Sequence, residues 1–149
     1  MKRYSLSRIF RMCCLRIATY VPMNGKVRSR FVKWGGGKIA NCKTVYIGEG
    51  VIFDSWFPEN ITIGEHVHIT MRCIILTHSL DTSKNLIRWK RHTVSIGEGC
   101  FIGANTIICS NVSIGKNVIV GAGSVVTKSI PDNEIWGGDP AKFIKKRIE

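Results

Sequence analysis

The chain repeats itself every six residues between residues 96 and 131, where it reads IGEGCF, IGANTI, ICSNVS, IGKNVI, VGAGSV and VTKSIP. A large aliphatic residue opens each repeat, and glycine or another small residue usually follows it. Two earlier stretches, which begin at Ile47 and Ile63, fit the same template. A short fixed period over such a span indicates a solenoid, and six-residue repeats are typical of a parallel β-helix.

The period implies a triangular coil in which three repeats form three flat sides. Openers point inward and stack on the openers of the next coil, while outward places carry Glu, Lys and Asn. Glycine after the opener lets the chain turn each corner without a Cβ clash. A β-sandwich would require period-two alternation and hairpin turns, which the chain lacks. The core of such a coil is thin, so we expect burial against neighbouring subunits.

These repeats resemble those of the hexapeptide-repeat acyltransferases, whose fold is a left-handed parallel β-helix. The resemblance extends to ILTHS at 75–79 and to GAGSVVTKSIPDNEIWGGDPAKFIKKR at 121–147. It is greatest to the galactoside, maltose, xenobiotic and capsule or O-antigen acetyltransferases. The resemblance implies an all-β solenoid of about five left-handed coils and a parallel homotrimer. We expect a short helical segment before the solenoid and a short helical tail after it.

The length predicts one domain, which the pattern divides into three segments. Residues 1–44 are predicted to form a basic helical cap and linker, and residues 45–130 the β-helix. Residues 131–149 are predicted to form a basic tail with a short helix over 141–147. The six-residue ladder breaks between Phe53 and Ile63 and, more widely, in an excursion loop at about 79–95. Loops that leave a solenoid on one face usually carry function.

The first 22 residues predict a basic amphipathic helix that ends at Pro22. Apolar residues recur in it at helical spacing: Leu6, Ile9, Phe10, Cys13, Ile17 and Tyr20. Arginines interrupt every apolar run, so a signal peptide and a membrane span are both excluded. Two interpretations stay open, a cap on the first coil and an interfacial helix on anionic lipid. A second short helix over 27–34 and a glycine linker at 35–37 lead into the first coil.

The net charge of +12 is uneven, because the first 38 residues hold ten Lys or Arg and no Asp or Glu. Further basic clusters lie at 84–91 and 142–147. Such a charge favours anionic partners: a phosphorylated cofactor, an anionic or lipid-linked sugar, or a membrane surface. No nucleic-acid-binding motif accompanies it, so we expect no nucleic-acid partner. Six cysteines without a CxxC pair, with Cys73 and Cys100 at inward small places, predict a reduced cytoplasmic protein.

Acyl transfer from a thioester needs a base for the acceptor, donors for the oxyanion and a groove for the acyl donor. His78 precedes the excursion and matches the family's catalytic histidine, so the resemblance implies that it is the base. It also implies that Phe101 and Ala104 line the thioester site, where relatives often carry Trp and Ser. The implied donor is acetyl-CoA, and no metal is expected. The implied donor-binding residues are Gly121, Ala122, Gly123, Thr127, Lys128, Lys142 and Lys145.

The resemblance implies an acetyl-CoA-dependent O-acetyltransferase that modifies a sugar hydroxyl in surface-polysaccharide biosynthesis. An N-acetyltransferase of a nucleotide-linked amino sugar and a xenobiotic acetyltransferase are the alternatives. A zinc enzyme of the γ-carbonic-anhydrase type would use three histidines across a trimer interface, and the chain has no His-x4-His pair. A non-catalytic, ice-binding β-helix would show regular Thr-x-Thr rows and would not need His78 beside an excursion loop.

Overall fold

The computed structural model describes residues 5–83 and 87–148, and three sheets form its triangular body, with every strand parallel to its neighbours except the last strand of one sheet. Sheet A contains β1 (Lys38–Ile39), β4 (Ile61–Ile63), β9 (Val94–Ile96) and β12 (Val112–Ile114). Sheet B contains β2 (Tyr46–Ile47), β5 (His68–Ile69), β10 (Phe101–Ile102), β13 (Ile119–Val120), β15 (Glu134–Gly137) and β16 (Lys142–Lys146). Sheet C contains β3 (Ile52–Phe53), β6 (Ile74–Ile75), β11 (Ile107–Ile108) and β14 (Val125–Val126).

Each coil gives one strand to each sheet, so the partners in a sheet come from successive coils. Four coils are complete, and a fifth begins where Ile130 bridges to Ile114 and continues into β15. The predicted parallel solenoid of about five coils is confirmed. Its first strand, β1, lies ahead of the predicted start at residue 45, because Lys38 and Ile39 already pair with Thr62 and Ile63.

The repeat openers form columns inside the solenoid, as the period predicts. On sheet B the column consists of Ile47, Ile69, Ile102 and Val120, all fully buried. Cys73 and Cys100 lie buried at the predicted small places, and both are free thiols. Burial raises the pKa of the Cys100 thiol to about 11. The protonated thiol therefore acts as a small apolar side chain in the core.

The corners depend on two separate features of each repeat. The glycine after the opener lies where the next coil passes closely, since a Cβ at Gly97 would stand 2.5 Å from the carbonyl oxygen of Gly115. The fourth residue of a repeat takes positive φ, for example Asn105 at 57° and Gly123 at 69°. Asn and Gly tolerate this region best among the amino acids. The repeat therefore specifies the turn as well as the core.

Helices α1 (Leu6–Tyr20) and α2 (Gly25–Trp34) lie where the pattern predicts them and cap the first coil. Arg28 of α2 is buried and donates to the carbonyl oxygens of Ala18 at 2.7 Å and Ile47 at 2.9 Å. The predicted apolar stripe of α1 faces outward, with Leu6 87% and Phe10 59% exposed. The helix packs inward through its opposite side: Cys14, Leu15, Ala18 and Thr19. Residues 1–4 of the predicted helix lie outside the described residues.

The predicted helix over 141–147 is wrong, because this segment forms strand β16, antiparallel to β15. The chain reverses at a turn in which Gly138 has a φ of 101°. Pairing with β15 satisfies the open edge of sheet B, whereas a seven-residue helix would gain few hydrogen bonds for the cost of its nucleation. Lys146 also pairs with Glu134 at 2.6 Å, and Arg147 donates to the carbonyl oxygen of Gly99 at 3.2 Å.

The two breaks in the ladder become two structured protrusions. The first contains a short 3-10 helix, Pro58–Asn60. The second, the predicted excursion, contains an antiparallel hairpin of β7 (His78–Leu80) and β8 (Trp89–Arg91). Lys84, a member of the predicted basic cluster, lies outside the described residues. Both protrusions leave the corner between sheets C and A, so they stand next to each other.

Candidate functional site

The candidate site lies at the C–A corner, where Asp54 follows β3 and His78 opens β7 soon after β6. Strands β3 and β6 are adjacent, with Phe53 paired to Ile75, so the two corners stack directly. The Asp54 carboxylate oxygen Oδ2 lies 2.5 Å from Nδ1 of His78. Among the described residues no hydrogen bond is found for Nε2 of His78. The carboxylate therefore holds one imidazole nitrogen and leaves the other available.

Asp54 is itself fixed by its surroundings. Its side chain is only 2% exposed and accepts hydrogen bonds from the Trp56 amide at 2.9 Å, the Thr77 amide at 2.9 Å and the Thr77 hydroxyl at 2.8 Å. Burial alone would raise the pKa of Asp54, but the hydrogen bonds from Trp56, Thr77 and His78 outweigh it, and the pKa is lowered. Asp54 is therefore a carboxylate at neutral pH and accepts the proton of Nδ1–H.

Aromatic rings surround the imidazole of His78. The Trp56 ring stacks on it with centroids 5.0 Å apart and an interplanar angle of 12°. Trp89 of the hairpin approaches edge-on at 5.2 Å, and Phe57 does so at 6.5 Å. His78 is consequently about one-fifth exposed. The rings restrict its orientation, and they exclude much of the water that would compete for Nε2.

His92 lies where the chain passes from the hairpin back into the solenoid, and its hydrogen bonds indicate a structural role. Its Nε2 lies 2.8 Å from the Ser79 hydroxyl, its backbone amide donates to the Thr77 carbonyl at 2.8 Å, and its carbonyl accepts from Asn60 at 2.8 Å. The other two histidines lie far from this corner in the coil. His68 stacks on Tyr46 on the outer surface of sheet B, and His66 is exposed at a turn.

The predicted donor-site residues fall on two edges of sheet C. Thr127 and Lys128 follow β14 at the C–A corner, two coils beyond the corner of His78. A spacing of about 4.8 Å per coil puts them roughly 10 Å along the same edge. They are exposed, so this edge forms a surface that starts at His78 and ends at a lysine.

The other predicted residues gather at the B–C edge. Phe101 points outward from β10 and is 43% exposed. Ala104 follows β10, and its carbonyl oxygen accepts the Gly123 amide at 2.7 Å from the next coil. Gly121 and Ala122 belong to that same corner. Sheet C, one side of the triangular solenoid, separates this group from His78. Within a single chain the predicted thioester residues therefore do not lie next to the predicted base.

Lys142 and Lys145 extend the B–C group, although from a strand and not from a helix. On β16, Lys142 pairs with Gly137 and Lys145 with Ile135. The Gly137 backbone lies next to Gly121, and both lysines are exposed. The antiparallel strand thus places Lys142 beside the glycine corner 121–123 and Lys145 farther along the strand, level with Ile119.

Sequence reasoning missed Asp54, Trp56 and Trp89. A signal for Asp54 was present, because an acidic residue follows the inward Phe53 at the point where the ladder first breaks. Its pairing with His78 depends on which corners of successive coils stack on each other. The sequence does not reveal this alignment, because both breaks in the ladder have irregular lengths. The two tryptophans lie in irregular segments without any period, so only the folded chain brings their rings to the imidazole.

Comparison with known proteins identifies the family. The family described as bacterial transferase hexapeptide (six repeats) matches residues 93–128. YvoF of Bacillus subtilis (strain 168), whose name places it among acetyltransferases, is 31% identical over 138 residues, which cover 91% of this chain and 75% of YvoF. The chain therefore belongs to the hexapeptide-repeat acyltransferase family, and its coils have the left-handed sense of that fold.

Further relatives match over shorter spans. Protein CapG of Staphylococcus aureus is 50% identical over 94 residues, which cover 59% of this chain and 54% of CapG. WcaF of Escherichia coli (strain K12), named for acetyltransferase activity in colanic acid biosynthesis, is 35% identical over 89 residues, which cover 60% of this chain and 49% of WcaF. The chain thus spans about half the length of these two proteins.

Two solved structures are similar in fold. A maltose O-acetyltransferase from Clostridium difficile 630 superimposes with a TM-score of 0.73 at 24% identity, covering 96% of this chain and 87% of the other. The Bacillus cereus N-acyltransferase AntD, as a point mutant bound to dTDP-4-amino-4,6-dideoxyglucose and coenzyme A, gives a TM-score of 0.58 at 26% identity, covering 76% and 79%.

Two features of residues 5–83 and 87–148 bear on other classes of function. Among these residues, no group of three His, Cys, Asp or Glu side chains is close enough together to hold a metal ion within one chain. No helix in the same residues has the length and apolar character that crossing a membrane needs.

Proposed function

We propose that the protein is an acetyl-CoA-dependent O-acetyltransferase whose acceptor is a sugar hydroxyl. The observation that carries this proposal is the pair of Asp54 and His78, in which the carboxylate holds Nδ1 and leaves Nε2 available to a substrate. An imidazole held in this way by a carboxylate can act as a general base. Family membership and the coenzyme A bound to AntD support the choice of donor.

The reaction follows from this geometry. Nε2 of His78 takes the proton of the acceptor hydroxyl while the hydroxyl oxygen forms a bond to the thioester carbonyl carbon. Asp54 stabilises the resulting imidazolium and keeps its orientation. The tetrahedral intermediate then loses the thiolate as the C–S bond breaks, and His78 returns its proton to sulfur. The products are an acetyl ester and CoA.

The oxyanion and the donor need the second edge of sheet C, and we propose that a neighbouring subunit supplies it. Ala104 has no hydroxyl, so its backbone N–H is the donor that the predicted thioester site offers. In a parallel homotrimer the B–C edge of one chain faces the C–A edge of the next, which joins His78 to the 121–123 corner. Apolar residues on the outer surface of sheet C, including half-exposed Ile52, favour such contact.

The lysines fit the phosphates of the donor. Lys128 ends the His78 edge, while Lys142 stands beside the glycine corner on the other edge and Lys145 lies farther along the same strand. An ammonium group binds phosphate as a point charge and does not require a fixed orientation. Glycines at 121 and 123 leave room for the thiol-terminated arm to lie close to the backbone. The proposed groove thus carries the base at one end and cations at the other.

The decisive experiment is a thiol-release assay with acetyl-CoA against neutral sugars, amino sugars and oligosaccharides. Acetyl transfer to a hydroxyl, located by mass spectrometry and NMR, is the expected result. Transfer only to an amino group would favour the N-acetyltransferase alternative, which the similarity to AntD supports. The name of WcaF supports an acceptor within surface-polysaccharide biosynthesis. Release of CoA with xenobiotic amines or alcohols alone would overturn the sugar assignment.

The trimer is tested separately, because the proposed active site is shared between two subunits and therefore requires the oligomer. Analytical ultracentrifugation at micromolar concentration should give a single species of about three chains. A monomer that retains full acetyl transfer would contradict the division of the site between two edges of sheet C.

We propose in addition that the outer face of α1 contacts an anionic membrane surface. Both sides of this helix are apolar: the first coil covers one, while Leu6, Ile9, Phe10, Cys13 and Tyr20 lie exposed on the other. Arg16 borders that exposed stripe, with its guanidinium 5.8 Å from the Tyr20 ring centroid, and residues 1–38 of the sequence carry ten cations and no acid. An apolar stripe in a cationic segment is typical of interfacial helices.

Vesicle co-sedimentation tests this contact. We expect binding to phosphatidylcholine vesicles that contain phosphatidylglycerol, weaker binding at high salt, and none to phosphatidylcholine alone. Phe10→Glu should abolish the binding, whereas Ile148→Glu, at an equally apolar but distant exposed position, should not. If Phe10→Glu instead breaks the oligomer, a second copy of the chain covers this face and the membrane proposal is wrong.

A further inference from the structure

An exposed tryptophan stands beside the candidate base on the β7–β8 hairpin. The register pairs His78 with Arg91 and Leu80 with Trp89, so these four side chains lie on one face of the hairpin. Trp89 contacts the imidazole directly, with ring centroids 5.2 Å apart. Despite this contact Trp89 is 53% exposed, and Leu80 opposite it is 46% exposed. The hairpin therefore presents an apolar surface next to His78.

Polar contacts away from this surface hold the hairpin in place. Asp81 and Lys90 form an ion pair at 3.0 Å, and Nε2 of His92 lies 2.8 Å from the Ser79 hydroxyl. The carbonyl oxygen of His92 also accepts a hydrogen bond from Asn60 of the first protrusion at 2.8 Å. A side chain on a hairpin fixed in this way loses little conformational freedom when a ligand covers it.

The indole of Trp89 also has an unused polar group. Among the residues that the structure describes, its N–H has no hydrogen-bond partner, whereas the indole N–H of Trp136 donates to Glu134 at 2.7 Å. A tryptophan that combines an exposed ring with an available N–H is typical of binding surfaces, where one part of the side chain packs and the other stays polar. Trp89 therefore offers both an apolar face and a donor to a ligand.

Trp89 and Trp56 differ in how they stand to the imidazole. The Trp56 ring lies nearly parallel to the His78 ring and covers one of its faces, with an interplanar angle of 12°. Trp89 stands at 77° to the imidazole and at 71° to Trp56. At a centroid distance of 5.2 Å no other ring fits between Trp89 and His78. A ligand that lies against Trp89 is thus a direct neighbour of the imidazole.

We propose that Trp89 is the platform on which the sugar ring of the acceptor lies, and that the acceptor is a pyranose whose hydroxyls are mainly equatorial. This inference rests on the proposed acetyltransferase function. Such a ring has faces made of C–H groups, which pack well on the negative face of an indole. The centroid distance of 5.2 Å is less than the span of a pyranose with its hydroxyls, so one hydroxyl can reach Nε2 of His78.

Binding is measured first, without turnover, by ¹⁹F NMR of the oligomer labelled with 5-fluorotryptophan and saturated with CoA. The probes are methyl β-glucopyranoside, whose hydroxyls are all equatorial, and glucitol, which has similar hydroxyls but no ring. The glucoside should shift the Trp89 resonance and leave that of Trp34, which is 54% exposed on α2, unchanged. Glucitol should shift neither resonance, and a Trp89 resonance unmoved by the glucoside would overturn the inference.

The same spectra show whether another part of the oligomer already covers Trp89. Without sugar, its resonance should move when H₂O is replaced by D₂O, as an exposed ring requires. A Trp89 resonance without this solvent effect would mean that a neighbouring subunit occupies the surface, and the inference would be wrong.

Turnover is measured second, with acetyl-CoA and methyl β-glucopyranoside. Trp89→Ala should raise the KM for the glucoside about tenfold, with little change in kcat or in the KM for acetyl-CoA. Trp89→Tyr keeps a flat aromatic ring and should lose less than Trp89→Leu, which is apolar but not flat. Trp34→Ala is the matched control and should change nothing, and thermal melting checks that each variant is folded.

The outcomes separate this inference from the proposed function. Glucoside binding at Trp89 without acetyl transfer to any sugar would refute the function and keep the platform. Acetyl transfer with an unchanged acceptor KM in Trp89→Ala would overturn the platform and keep the function. A fall in kcat at an unchanged acceptor KM would mean that Trp89 only orients His78, which would overturn the inference as well.

Discussion

The regular coils at 93–128 and the irregular corner at 54–60 and 76–92 differ in what their residues do. In the regular coils every repeat provides the same two elements, an inward aliphatic residue and a tight turn. The outer surface of these coils is therefore similar from one repeat to the next. At the irregular corner the chain leaves the ladder twice, and Asp54, His78, Trp56 and Trp89 meet there. The comparison indicates that the repeats supply a rigid frame, and in the proposed function the residues of the two breaks carry the chemistry.

The largest effect should come from the irregular corner. His78→Ala removes the proposed base, and we expect kcat to fall about 10²-fold to 10⁴-fold while acetyl-CoA still binds. Steady-state thiol release and CoA binding by calorimetry measure the two effects. His66→Ala, at an exposed turn of a regular corner, is the matched control and should retain full activity. Unchanged turnover in His78→Ala would remove the base from the mechanism.

A substitution in a regular coil should instead lower stability and leave activity intact. Ile102→Ala truncates a fully buried opener, and we expect a loss of about 2–5 kcal/mol in unfolding free energy. Denaturant unfolding measures it, and Ile148→Ala, at an 89% exposed position, serves as the control. At temperatures where the variant stays folded, its kcat should remain near normal. If the Ile102→Ala variant were folded but inactive, the regular coils would contribute to activity as well as to stability.

Asp54→Asn tests the coupling between carboxylate and imidazole. Asparagine keeps the size but presents an amide to Nδ1, so we expect kcat to fall roughly 10–100-fold with little change in the KM for acetyl-CoA. If Asp54 only held the corner together, kcat would change in parallel with stability. Thermal melting of the variant at neutral pH therefore accompanies the kinetics.

The lowered pKa of Asp54 also predicts a dependence of stability on pH. Because its pKa in the folded chain lies below the unfolded value of about 3.9, the carboxylate stabilises the fold above that pH. This stabilisation is lost as the pH falls through the lowered pKa. Melting temperatures between about pH 2 and 6 should drop less steeply in Asp54→Asn than in the natural chain. Equal slopes would contradict the ionised state of Asp54 in the fold.

The smallest effect should come from the exposed strand β16. Changing Lys142 and Lys145 together to Gln removes two cations from the proposed donor groove, and we expect a several-fold rise in the KM for acetyl-CoA. The rise should shrink at high salt, and kcat at saturation should stay near normal. Lys116→Gln, another surface lysine, is the control. Normal donor binding with reduced kcat would place these lysines in a different role.

Local spacing is sufficient to predict the solenoid, because each repeat carries its own inward residue and its own corner. Ile102 and Asn105 are sufficient to specify a side and a turn, whatever lies in distant parts of the chain. It also determined which histidine to examine, since only His78 stands at the start of the excursion in a position that the family shares. Both inferences depend on local spacing, which survives in the linear sequence.

The way in which the two breaks combine depends on contacts between distant segments. Asp54 and His78 are 24 residues apart, and their contact depends on two protrusions that leave stacked corners. Residues 141–147 became a strand because β15 offered an open edge, a fact that no local pattern contains. The outward direction of the α1 stripe likewise depends on which side of the helix the first coil covers. Long-range pairing decides each of these features, because the free energy that selects them belongs to contacts between segments and not to either segment alone.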